Sequence, residues 1–152
     1  MVRAAAAVLV AAGLPVAAAK SAGAYVEFPQ VPSLYYGGLC WGNIRTWADT
    51  NPAWDGKAII NIQGLPIQGI GNGSHPLAPL CHVNTTVHWR NTTTGAAGRY
   101  PVNLVTGIYG SIQYALFQPT GPGHVEVTVT TDNAHIASHG AFDVPGSPAP
   151  TG

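Results

Sequence analysis

The sequence predicts an all-β domain, an antiparallel sandwich of seven to eight strands joined by one disulfide. Three observations predict it. Apolar residues recur at every second position through most of the chain, the period of a strand with one face buried. Glycine and proline, 19 and 13 of the 152 residues, punctuate those runs, which suits many turns and suits helices badly. The two cysteines, Cys40 and Cys81, stand in a chain that opens like an exported protein, where an even cysteine count reads as a bridge.

The opening is Met1-Val2-Arg3 followed by "AAAAVLVAAGLPVAAA", with no further charge until Lys20. A basic start, a short apolar run and small residues make a secretory signal peptide over residues 1–24. Cleavage fits the small-x-small rule after Ala19 or after Ala24. The apolar run is Ala-rich, contains Pro15 and falls short of the about 20 strongly apolar residues a spanning helix needs. No later segment is long or apolar enough to span, so the mature chain is read without a transmembrane segment. The folded domain is placed at residues 25–145. The ending "PGSPAPTG", rich in proline and small residues, is read as a disordered tail over 146–152.

The strands follow in order. "AYVEF" opens the domain. "CWGNIRTW" sets Trp41, Asn43, Arg45 and Trp47 against Cys40, Gly42, Ile44 and Thr46. "KAIINIQG" points Ala58, Ile60 and Ile62 inward, with Ile59 breaking strict alternation. "CHVNTTVHWR" is the most regular: Cys81, Val83, Thr85, Val87 and Trp89 share one face, while His82, Asn84, Thr86, His88 and Arg90 share the other. "GSIQYALF" groups Ile112, Tyr114 and Leu116; "HVEVTVTT" groups Val125, Val127 and Val129; "GAFDV" closes the series. Between them, "TNPAWDG", "GIGNGSHPLAP", "NTTTGAAG", "PTGPG" and "TDNAHIASHG" carry turn chemistry. The inward parity of Cys81 directs its sulfur into the core.

Charged residues are 8% of the chain, six basic against six acidic, where ordinary soluble domains carry about 25%. There is no basic patch, which argues against a nucleic-acid partner. The surface is left to Thr, Asn, Ser, Gln and Gly, with little charge repulsion to keep it dispersed.

"VNTTVHWRNTTTGAAG", followed by "GPGHVEVTVTT" and "GAFDVP", resembles small exported immunoglobulin-like proteins of actinobacteria, mycobacteria above all. The likeness covers roughly Cys40 to Pro145. It implies an immunoglobulin-like β-sandwich and brings no catalytic residues with it. The chain departs from antibody-type domains, whose cysteines stand farther apart with a Tyr two residues before the second; here that position is Pro79.

The residues that carry chemistry point away from an enzyme. Histidines 135 and 139 sit four apart in a segment that reads as a turn, and on a strand that spacing is about 13 Å, too far for one ion. His82 and His88 are farther apart still. Ser74, Ser111 and Ser138 sit outside any nucleophile turn, and the six carboxylates select no facing pair. "GIGNGSHP" is not a phosphate-binding loop. Asn72, Asn84 and Asn91 begin N-x-[ST] matches, as Thr-rich strands do by chance. The sequence thus assigns no catalytic residue, no metal ligand and no cofactor.

The aromatics are the strongest lead. Tyr35, Tyr36, Trp41, Trp47 and Trp54 crowd into 20 residues and are the candidate ligand- or partner-binding residues. Two readings stay open for Trp41 and Trp47. Beside a disulfide, Trp in a sandwich packs the core, and a bulge at Gly42 would turn both inward. On a regular strand that points Cys40 inward, both point outward as a ladder for stacking. The functional expectation is a secreted, non-enzymatic binding module of the extracellular space or cell envelope, with an unidentified protein or envelope component as partner. The second expectation is a carrier of a small apolar molecule or glycan.

Overall fold

A computed structural model describes residues 23–146. They form ten strands: β1 (Ala24–Glu27), β2 (Val31–Tyr35), β3 (Gly38–Thr50), β4 (Ala58–Gly64), β5 (Gln68–Gly71), β6 (Cys81–Asn91), β7 (Ala97–Thr106), β8 (Gln113–Gln118), β9 (Gly123–Thr131) and β10 (Ser138–Val144). Two antiparallel sheets result, as the period of two demands. The first is built on β3, with β1 and β2 along one side, β4 and β5 along the other, and β8 outside β4. The second runs in the order β10-β9-β6-β7. Of the signal-peptide and tail segments, only Gly23, Ala24 and Gly146 fall within the described residues; Ala24 opens β1 opposite Thr50.

Ten strands stand where seven to eight were expected; β2, β5 and β7 are absent from the strand series read above, and each was hidden by a residue that weakens a strand signal. Pro29 divides one edge into β1 and β2, which meet the same long β3 at Glu27↔Trp47 and Val31↔Ile44. β5 is four residues long and half glycine. β7 carries Pro101 on its exposed face, where a missing N–H is tolerated at a sheet edge. Its Tyr100, Val102, Leu104 and Thr106 nonetheless alternate inward.

The core lies between the sheets. Ile44, Ile60, Ile62 and Val31 from the first meet Val83, Val87, Leu104, Val125 and Val129 from the second, all fully buried. The Cys40–Cys81 disulfide ties β3 to β6 inside this layer. The one helical turn among the described residues is a 3-10 turn, Pro52–Trp54. Its start is capped by the Asn51 side chain, which accepts from Ala53 N–H at 2.9 Å.

Candidate functional site: the outer face of the first sheet

β3 keeps strict alternation and has no bulge at Gly42: pairing with β2 runs unbroken from Tyr35↔Cys40 to Val31↔Ile44. Cys40, Ile44 and Ala48 are buried inward. Trp41, Asn43, Arg45, Trp47 and Asp49 therefore share the outward face, and the two tryptophans meet different fates there.

Trp41 is 43% exposed. Its cross-strand neighbours are Leu34 on β2 and Gln68 on β5. A further extended segment continues the sheet beyond β2: Leu34 N–H donates to Ala134 O at 2.9 Å and Ile136 N–H to Pro32 O at 3.0 Å. The result is a shallow groove of about 380 Å³ lined by Pro32, Leu34, Trp41, Asn43, His135 and Ile136. Its lining is mostly apolar, and its polar side chains are those of Ser33, Asn43 and His135.

Trp47 is only 6% exposed although it points away from the core. The Arg45 guanidinium lies over its ring at 4.1 Å, a cation–π contact, and Tyr25 stands beside it with ring centroids 6.5 Å apart. Arg45 is held by a forked pair with Glu27, Nε to Oε2 at 2.6 Å and Nη2 to Oε1 at 3.0 Å, and its Nη2 donates to the Tyr25 hydroxyl. The Tyr25 O–H donates in turn to Glu27. The Arg45 hydrogen bonds, then that of Tyr25, hold the Glu27 carboxyl below its ordinary range. Trp47 is thus a covered residue at the centre of the face.

At the far end of β3, Trp54 of the 3-10 turn meets Phe117 of β8 edge-on, 5.2 Å between centroids. With Ala53, Asp55, Lys57 and Pro119 they line a second groove of about 460 Å³.

The two tyrosines separate. Tyr35 turns into the core, where burial pushes its phenol well above the usual tyrosine range and its hydroxyl finds no hydrogen-bond partner among the described residues; it is out of reach of any ligand. Tyr36 is exposed, donates to Asp132 O at 2.6 Å and packs on the His82 ring. Of the five aromatic candidates, the fold brings Trp41 and Trp54 to separate grooves on the same face, covers Trp47, leaves Tyr36 at the edge and buries Tyr35.

The residues that complete the grooves were partly legible. Phe117 alternates outward with Gln113 and Ala115 in "QYALF". Leu34 and Ile136 were not visible, because β2 and its neighbouring segment read as connecting chain. The histidines stay dispersed on separate partners: His124 with Asp143 at 2.8 Å, His139 with Thr128, His88 with Thr130, His135 with Asn133 O. No group of three His, Cys, Asp or Glu side chains that would hold a metal ion occurs among the described residues. No helix among them is long and apolar enough to cross a membrane. Asn91 is consumed by the fold: its amide donates to Thr120 O, Gly121 O and Pro122 O, and its carbonyl accepts from Thr93 and Thr94 N–H.

No family model, no curated protein and no solved structure matches this chain.

Proposed function

We propose that this is an exported, non-enzymatic binding module of the immunoglobulin-like type, which takes its partner on the outer face of the first sheet. The observation that carries the proposal is Trp41. A large aromatic left nearly half exposed, flanked by Leu34 and Ile136 over a preformed groove, is the kind of anchor that interface energetics concentrate on. The lining of the groove holds no Lys, Arg, Asp or Glu, while the Arg45–Glu27 pair stands on the same face beyond it, so binding in the groove draws on apolar contact and neutral hydrogen bonds. The buried Cys40–Cys81 bridge fits assembly in an oxidising compartment, in keeping with the signal-peptide reading of the start.

A second reading has its own support. Trp41, Asn43 and His135 line one groove, an aromatic plane with an amide and an imidazole in the same lining that suits a sugar ring. The space between the sheets is filled by side chains, so a carried glycan or apolar molecule would sit on the face.

The test is a fluorescence titration of the protein against oligosaccharides and envelope extracts, paired with pull-down, for wild type and Trp41→Ala. A protein partner captured by the wild type and lost at least tenfold in Trp41→Ala supports the first reading. A saturable fluorescence change with an oligosaccharide, absent in the variant, supports the second. Binding that survives Trp41→Ala overturns both.

A further inference from the structure

We infer that the end of the sandwich at which β5 passes to β6 and β7 passes to β8 is a lipid-binding tip, which enters the surface of a phospholipid bilayer. The inference concerns a surface distinct from the Trp41 groove and does not rest on it.

Two loops build the tip, residues 72–80 and residues 107–112. Leu77 and Leu80 project from the first, Ile108, Tyr109 and Ile112 from the second, all exposed; Leu77 is 82% and Tyr109 91% open to solvent. The loops touch. A Cβ added at Gly107 would meet Pro79 O at 3.4 Å and Leu80 Cδ1 at 3.5 Å. An apolar cleft of about 320 Å³ lies between them, walled by Pro79, Leu80, Ile108 and Tyr109. Loops this rich in exposed large apolar side chains, clustered rather than scattered, mark an interaction site.

Charge indicates what covers them. Ten Lys, Arg, Asp and Glu residues lie within 23–146, and none falls between Gly64 and Trp89 or between Tyr100 and Val125. A protein partner is ordinarily selected by complementary charge around an apolar centre. This tip offers none, whereas hydrocarbon at the headgroup boundary requires none. Tyrosine at the tip fits the same place, with an apolar ring and a polar end at the water interface.

Backbone polarity is the other obstacle to entering lipid, since N–H and C=O groups left unpaired there have no water to bond. Here many pair within or beneath the loops. Gly107 and Gly110 exchange both hydrogen bonds, Ala78 N–H donates to His75 O, Gly71 N–H to Pro76 O, and Ser111 N–H to Gly64 O. The first loop is rooted at Cys81, one end of the disulfide, so the tip is presented on a rigid base. Entry of such loops reaches the headgroup–acyl boundary, about 5–10 Å deep.

The test is flotation of the disulfide-intact protein with phosphatidylcholine vesicles at 50 and 500 mM salt. Wild type is expected to float with the vesicles equally at both, because no charge pair contributes. Leu77→Asp/Tyr109→Asp is expected to lose at least tenfold in vesicle affinity. Ala96→Asp/Ala97→Asp, which adds the same two negative charges in the exposed hairpin at the opposite end, is expected to leave affinity within twofold. Both substituted loops are exposed, and an unchanged melting temperature verifies folding. Failure of wild type to float overturns the proposal without recourse to the variants. So does flotation indifferent to the double substitution, flotation abolished by salt, or a concentration-dependent dimer that the double substitution dissolves.

Discussion

Trp47 owes its cover to three side chains that strand parity alone places beside it. Arg45 lies two residues away on the same face, Glu27 is its direct cross-strand partner, and Tyr25 pairs with Asp49 one step along. The forked Arg45–Glu27 pair is the clamp, and it depends on an ionised Glu27. Arg45 and Tyr25 depress the Glu27 pKa in the folded protein below its unfolded value of about 4.5, so the pair's contribution is fully present above that value. It is lost as pH falls through the lower, folded value. Both partners are partly solvated, with about a third of each side chain exposed, which limits the pair to less than about 1 kcal/mol. Glu27→Gln is therefore expected to lower the melting temperature at pH 7 by at most about 4 °C, with a red shift of tryptophan emission as Trp47 is uncovered. The gap to wild type should close as pH is brought to 3. A gap that is constant from pH 7 to pH 3 would show that Glu27 acts by packing and not by charge.

Strand edges differ sharply in how they are guarded. The β1–β2 side carries Pro29 and Pro32 and is covered along β2 by the segment that reaches Ile136, β7 carries Arg99 and Pro101, and β10 carries His139 and Asp143. These are the devices that keep sheet edges from pairing with other chains. β8, Gln113–Gln118, pairs with β4 alone, has no charge and no proline, and leaves Leu116 and Phe117 about half exposed. In a chain with no net charge, it is the edge from which self-association should start. Leu116→Lys is expected to raise the soluble concentration at pH 7 several-fold, measured by light scattering on a concentration series, with the melting temperature within about 2 °C. Equal scattering by wild type and variant would move the aggregation site elsewhere. The same element shows what the sequence disclosed. In "QYALFQ" alternation alone assigns Tyr114 and Leu116 to one side and Phe117 to the other. It does not say that the strand is an edge, because that depends on which strands lie beside it. β2 and β5 were illegible for a related reason. Each is short, interrupted by proline or glycine, and held by the long β3, whose 13 residues accept two partners in succession on either side. The Trp41 groove, which needs β2 and Ile136, was for that reason only half visible.

Across the whole molecule, two independent sequence features converge on one assembly. Period-two patterning gives each strand one apolar face, and two such layers must close on each other. The inward parity of Cys81 in "CHVNTTVHWR" assigns the inner face of β6, while for β3 the sequence left both parities of Trp41 open and the unbroken β2–β3 register turns it outward. The bridge between β3 and β6 joins the layers at the end that carries the tip loops, where a Cβ added at Gly37 would meet Leu80 O at 3.3 Å and Cys81 Cα at 3.4 Å. Replacing it removes a constraint on the unfolded chain rather than a large packed group. For cysteines 41 residues apart, chain entropy gives about 4 kcal/mol as an upper figure. In a domain of this size that corresponds to at most about 16 °C in melting temperature. Cys40→Ala/Cys81→Ala is expected to fold with the same β-sheet circular-dichroism spectrum and to melt roughly 10–16 °C lower. Because both sulfurs are buried, the wild-type bridge should resist dithiothreitol below the melting transition and yield to it only as the sandwich opens. Rapid reduction of the native protein at 25 °C would show that the sulfurs are reached without opening the sandwich, and a double variant that melts within 2 °C of wild type would show that the bridge adds little to stability.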